Sequence, residues 1–208
     1  DTDLTPAQRF AVGRDQRLTT FSQELRLERQ GDEGQSSWVL GLYGDRDDHQ
    51  LKFEQRNPMG TQRSEATLEA ENLALFGQWT LPLGERWRLT PGLRLEQSRV
   101  ALTPQGAEQR SERWGDVTSQ LALQYRLGDD DWLYARYAEG LRAGGFNAFS
   151  AQSDYPGYEP EQVASYQLGI KGTAFSQRLR YGLASYWMII DDMQVQQVIL
   201  PGSVQITN

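Results

Sequence analysis

Apolar and polar residues alternate with a period of two, in run after run along this chain. In Phe21-Ser22-Gln23-Glu24-Leu25-Arg26-Leu27-Glu28-Arg29 one face carries Phe21, Leu25 and Leu27, and the other carries Glu24, Arg26 and Glu28. The pattern returns in Trp87–Glu96 and in Val117–Leu127. Period-two alternation predicts β-strands with one apolar face. The polar face is heavily charged for a folded interior, and the runs reach about ten residues. Strands of that length with an apolar face and a wet face suit a transmembrane β-barrel. The expected fold class is therefore all-β, an antiparallel meander forming part of such a barrel.

Strands are predicted near residues 19–29, 37–45, 70–82, 86–102, 115–127, 132–142, 162–172, 178–198 and 203–208, with residues 1–18 as loop. Short Gly- and Asp-rich turns at 30–36, 82–85, 128–131 and 172–177 alternate with long connections at 46–69, 103–114 and 143–161. Strict alternation of short and long is the habit of outer-membrane barrels. Sidedness follows from the period. Leu25, Leu27, Leu89, Leu93, Leu95, Leu121, Leu123, Tyr166, Leu168 and Ile170 are expected on the lipid face. Arg26, Arg88, Arg94, Gln120, Gln124 and Arg126 are expected on the opposite one. Trp38, Trp79, Trp87, Trp132 and Phe175 stand next to short turns, where a rim girdle of aromatics would sit.

Composition changes this picture little. The formal charge is −7, from 21 Lys+Arg against 28 Asp+Glu, and no stretch approaches the ~18 apolar residues of a membrane helix. A barrel escapes that criterion, because only every second residue meets lipid. With no cysteine the chain has neither a disulfide framework nor a thiolate metal site. Negative charge with scattered arginines argues against a nucleic-acid partner.

Several segments resemble the barrel of TonB-dependent outer-membrane receptors. They are Phe21–Leu27 with Trp38–Tyr43, Tyr134–Asn147, Tyr158-Glu159-Pro160-Glu161 with Ser165–Lys171, and Tyr186–Val195, in that order. The resemblance covers most of residues 19–208. It implies a Gram-negative outer-membrane location, outer-membrane lipid as surroundings, and energised uptake of a scarce nutrient, most often a ferric siderophore. It also implies a plug domain inside the barrel and the TonB complex as partners. Neither a plug nor a TonB box is visible here, and the family barrel has about 22 strands against about nine. Residues 1–208 are thus expected to be an internal part of a receptor barrel.

No catalytic constellation is present, so an enzyme is not expected, and neither a metal site nor a cofactor is predicted. His49, in Asp45-Arg46-Asp47-Asp48-His49, and Asp129-Asp130-Asp131 are read as solvated loop and turn charges rather than ligands. The arginines of the wet face would either hold a plug or simply hydrate the wall; both readings stay open. Ligand contact is assigned to the 143–161 loop and its base: Arg142, Asn147, Phe149, Tyr155 and Tyr158, beside Phe146. This mixture suits an aromatic, anionic metal chelate. The same aromatics could instead pack the loop on itself. Three rivals remain: a passive porin or other large outer-membrane barrel, a soluble β-sandwich binding module, and a barrel enzyme.

Overall fold

A computed structural model describes residues 2–3, 11–32, 34–148, 157–200 and 203–208. The strands are β1 (Thr2–Asp3), β2 (Ala11–Arg29), β3 (Ser37–Asn57), β4 (Gly60–Leu83), β5 (Trp87–Pro104), β6 (Arg110–Arg126), β7 (Trp132–Arg142), β8 (Gly145–Phe146), β9 (Gly157–Tyr158), β10 (Glu161–Ala174), β11 (Leu179–Asp191), β12 (Val195–Leu200) and β13 (Ser203–Thr207). One sheet runs in the order β1-β2-β3-β4-β5-β6-β7-β10-β11, antiparallel throughout. This is the predicted meander. Two small hairpins, β8–β9 and β12–β13, stand apart from it.

The register sorts side chains as the period required. Leu25 opposes Leu42, Leu42 opposes Leu75, Leu75 opposes Leu95 and Leu95 opposes Val117. Paired residues share a face, so this apolar row crosses five strands. Arg26, Gly41, Phe76, Arg94 and Thr118 form the neighbouring row on the other face. Nothing packs on the apolar face among the described residues: Leu25 is 71% exposed and Leu183 74%. Among the described residues no second sheet covers this leucine face, as the facing layer of a sandwich would.

Five expectations about the strands and the rim need correction. Residues 46–69 are not a loop: β3 and β4 stay paired from Ser37↔Thr80 to Asn57↔Gly60. Residues 11–18 likewise belong to β2, and most of 103–114 to β5 and β6. The 178–198 strand breaks at Asp192, whose φ is +51°, and β12 pairs with β13 instead of extending the sheet. Trp132 lies on the polar face, opposite Lys171 and under the Arg88 guanidinium at 4.7 Å; it belongs to no rim girdle.

The apolar row that begins with Trp38↔Trp79 explains how the wall is inclined. Further along, Pro91 opposes Leu121, Leu121 opposes Tyr137, Tyr137 opposes Tyr166 and Tyr166 opposes Trp187. Trp38 is one residue into β3, whereas Trp187 is eight residues into β11. The row therefore climbs by seven residues, about 23 Å along a strand. That is most of an apolar band about 25 Å tall, as tilted barrel strands require. The β4–β5 ladder is interrupted at Trp79 and Pro91, but the flanking pairs Gln78↔Gly92 and Leu81↔Leu89 hold the two level, so the aromatics of one rim lie on one diagonal with those of the other.

At the short turns, acidic residues do structural work. Asp131 Oδ1 accepts the Thr173 N–H (3.1 Å) and the Tyr181 hydroxyl (2.9 Å), and Asp130 Oδ2 accepts Gln177 Nε2 (3.1 Å). They tie the β6–β7 turn to the β10–β11 turn, where Phe175, Ser176 and Gln177 all have φ between +53° and +66°. Three consecutive left-handed non-glycine residues cost about 1–2 kcal/mol each, so the bracing offsets a strained turn. Asp131→Ala is expected to cost the assembled barrel about 1–3 kcal/mol by leaving the Thr173 N–H without an acceptor, with Asp131→Asn milder. Urea unfolding of the receptor in detergent reads both, and equal stability of Asp131→Ala and the parent would contradict the bracing role.

Candidate functional site

Among the described residues, most of the charged and hydrogen-bonding side chains of the band lie on the polar face. Arg94 pairs with Glu96 at 2.5 Å and Arg26 with Glu24. Both guanidiniums lie about 6 Å from the Phe76 ring centre, at 5.9 and 6.0 Å, a distance at which a ring face attracts a cation. Gln120 reaches Gln78 (2.5 Å) and accepts from Arg136 (3.0 Å). These contacts cross strands over three glycines that have no Cβ to obstruct them. Phe76 lies on Gly41, Gln120 on Gly92 and Tyr134 on Gly169. The wet face is thus a crosslinked polar wall.

Beyond the apolar band the faces exchange character. On β5 the apolar residues are Leu89, Leu93 and Leu95 on one face, then Val100 and Leu102 on the other. On β4 the switch falls between Leu73 and Ala70, on β3 between Leu42 and Leu51, and on β2 between Phe21 and Leu18. The register sets Arg46, Glu71 and Arg99, just past the band, in one row, with Phe21 at its β2 end. Outside lipid the outer face must meet water, so it turns polar, while the inner face gains apolar residues to seat a loop.

That loop is the described part of 143–161. Phe146 is 8% exposed and clusters with Val100 and Leu102, and Leu68 and Trp114 pack against the three. The Trp114 indole N–H donates to Glu159 Oε2 at 3.0 Å. Gln194 ties Ala143 and Glu159 together, donating to both carbonyls at 3.0 Å. The arrangement is an ordered mouth over the polar wall.

Of the residues assigned to ligand, the structure brings Arg142 and Tyr158 together. Arg142 is exposed at the end of β7, opposite Glu161. Tyr158 is half-buried; burial pushes its phenol pKa up, and the nearby Arg142 charge pulls it the other way. Asn147 is buried, with its amide clasping the Ile206 backbone: Nδ2 donates to the carbonyl (2.9 Å) and Oδ1 accepts the N–H (2.6 Å). Phe149 and Tyr155 lie outside the described residues. His49 sits in mid-strand opposite Leu18 and Leu68. Glu159, Gln194 and Trp114 escaped the sequence reading. The change of phase after Glu96 was the available signal, since Val100, Leu102 and Trp114 carry apolar bulk on the parity reserved for polar residues.

Comparison with known proteins follows the fold. The family model "TonB dependent receptor-like, beta-barrel" matches residues 2–208. The pesticin receptors of Yersinia enterocolitica and Yersinia pestis are each 27% identical over 199 residues, covering 91% of this chain and 29% of the relative. The chain therefore spans under a third of their length. Among solved structures, the ferric yersiniabactin uptake receptor FyuA from Yersinia pestis superposes with a TM-score of 0.84 at 24% identity, over 96% of this chain and 32% of that one. The copper transporter OprC gives 0.71 at 19% identity, over 96% and 34%. At these identities the structural likeness is one of fold.

Proposed function

We propose a transport function from one premise: the chain belongs to the family of TonB-dependent receptor β-barrels. Members of this family are receptors in the outer membrane of Gram-negative bacteria. In this reading residues 1–208 form part of the barrel wall of such a receptor, which takes up a ferric siderophore. The change of phase along β2–β5 supports this best, because it separates a lipid-facing band from a zone that is wet outside and loop-lined inside.

The barrel residues do no covalent chemistry. Arg26, Arg94, Gln78, Gln120 and Arg136 line the lumen, with ring faces and carboxylates beside them, and would hold the receptor's own plug through direct and water-mediated hydrogen bonds. TonB acts on that plug to open the path. A ligand enters at the mouth formed by the 143–161 loop. There the Arg142 guanidinium is a fixed positive charge able to pair with an anionic chelate and to stack on aromatic rings. Tyr158, with Phe149 and Tyr155, supplies the aromatic contacts, and Asn147 holds the loop to the β12–β13 hairpin.

In the full-length receptor, Arg142→Ala is expected to weaken whole-cell binding of the radiolabelled ferric siderophore about tenfold, the loss of one charged hydrogen bond. Surface abundance should not change. Asn147→Ala should instead lower surface abundance, since it unclasps Ile206. Unchanged binding by Arg142→Ala at normal abundance would remove Arg142 from the ligand site.

A further inference from the structure

The row that ends the apolar band is rich in arginine on its outer side. Arg46, Arg99 and Arg113 share it with Glu71, and all four side chains have the parity of the lipid-facing leucines. Arg46 is bonded to Glu71 (3.2 Å) and Glu69 (3.6 Å), and Arg99 lies 3.7 Å from Glu71. Arg113 is exposed and makes no ion pair with any described residue. It stands directly opposite Arg99. Like charges face to face across two strands are destabilising unless an anion lies between them.

The order of charges along the strands points to the same anion. Past the apolar residues, and beyond Gly44, Gln97 and Gly115 on the same face, come three guanidiniums and one carboxylate, with Phe21 at the β2 end of the row. The acids Asp48 and Glu69, which oppose each other, lie one row further from the band. Beneath Arg113, on the same face, Gly115 has open space where a Cβ would be. A group seated there would have its apolar part against Val117 and Leu95 and its charge between Arg99 and Arg113. Where the same boundary passes over β7, β10 and β11 it is made of Tyr137, Tyr166 and Trp187 instead.

We propose that Arg99 and Arg113, with Arg46 beside them, bind phosphate groups on the glycolipid of the outer leaflet. The planar guanidinium fork suits bidentate contact with phosphate, and an acylated phosphosugar is the occupant whose charge and chains meet at this height. The inference rests on the outer-membrane reading above.

The test uses the full-length receptor, purified in detergent and exposed to lipid A, the diphosphorylated acylated disaccharide. Bound lipid is counted by native mass spectrometry. Arg99→Gln/Arg113→Gln is expected to retain about tenfold less lipid A than the parent, while Arg99→Lys/Arg113→Lys keeps an intermediate amount. Dephosphorylated lipid A should bind the parent as weakly as lipid A binds the Gln variant. Equal retention of lipid A by parent and Gln variant, or parent binding that ignores the phosphates, would overturn the site while leaving the receptor reading intact. Failure of the parent to assemble as a heat-modifiable barrel in lipid would overturn both.

Discussion

Leu93→Arg is expected to destabilise the assembled barrel by about 2–4 kcal/mol, the cost of a guanidinium near the middle of a lipid-facing strand. Leu93 stands in the apolar row Leu27↔Leu40↔Gly77↔Leu93, and its side chain is half exposed. On β5 the apolar band runs from Trp87 to Leu95, so residue 93 has apolar neighbours on both sides. The matched control is Ser165→Arg, on the polar face between Ala138 and Met188. A guanidinium there enters a wet lumen, and its effect should stay within about 1 kcal/mol. Urea unfolding of the full receptor in lipid vesicles measures both. A larger loss from Ser165→Arg than from Leu93→Arg would mean that the faces are reversed.

The second large effect comes from a glycine. Gly41 opposes both Arg26 and Phe76, and an added Cβ would fall among the ring atoms of Phe76. Gly41→Ala should therefore push Phe76 off its seat and cost about 1–3 kcal/mol by overpacking. The ring cannot move freely, because Arg26 and Arg94 both lean on it. Pairing the change with Phe76→Ala should recover part of the loss, since the double variant has room for the new methyl group. Additive losses would show that the two side chains do not meet. Gly115, whose Cβ direction is open, is the place where the same substitution should be nearly silent.

How far the fold was legible follows from where each strand lies relative to lipid. Within the apolar band, every second residue must be apolar, so β5 from Trp87 to Leu95 and β6 from Val117 to Tyr125 stand out at once. Past the band that constraint disappears. Residues 46–57 of β3 and 60–70 of β4 carry charges on the outer face, such as Arg46, Lys52, Glu65 and Glu69, and ion pairs between them replace leucine contacts. Near the hairpin tip Arg63 donates to Glu54 and holds its carboxyl below the usual range. Such strands read as a polar loop, yet their ladder is complete. The mouth was harder still. Arg142 and Tyr158 adjoin in the loop as its composition suggested, but Asn147 binds Ile206, 59 residues away, and no local pattern announces a partner at that distance. Trp132 misled for a different reason: an aromatic beside a turn fits a girdle only when its parity points to lipid.

The central claim is that β5 presents odd residues to lipid up to Leu95, and that water takes over on the same face by Arg99. The chain has no cysteine of its own, so single cysteines at positions 88–95 and at 99 report on this segment without competing thiols from it. In the full receptor, reconstituted in vesicles, each would carry an environment-sensitive fluorophore. Quenching by lipids with brominated chains is then compared with quenching by iodide in the water. The account predicts strong bromolipid quenching at 89, 91, 93 and 95, iodide quenching at 88, 90, 92 and 94, and iodide quenching again at 99. Bromolipid quenching at the even positions, no alternation at all, or lipid quenching that persists at 99 would contradict it.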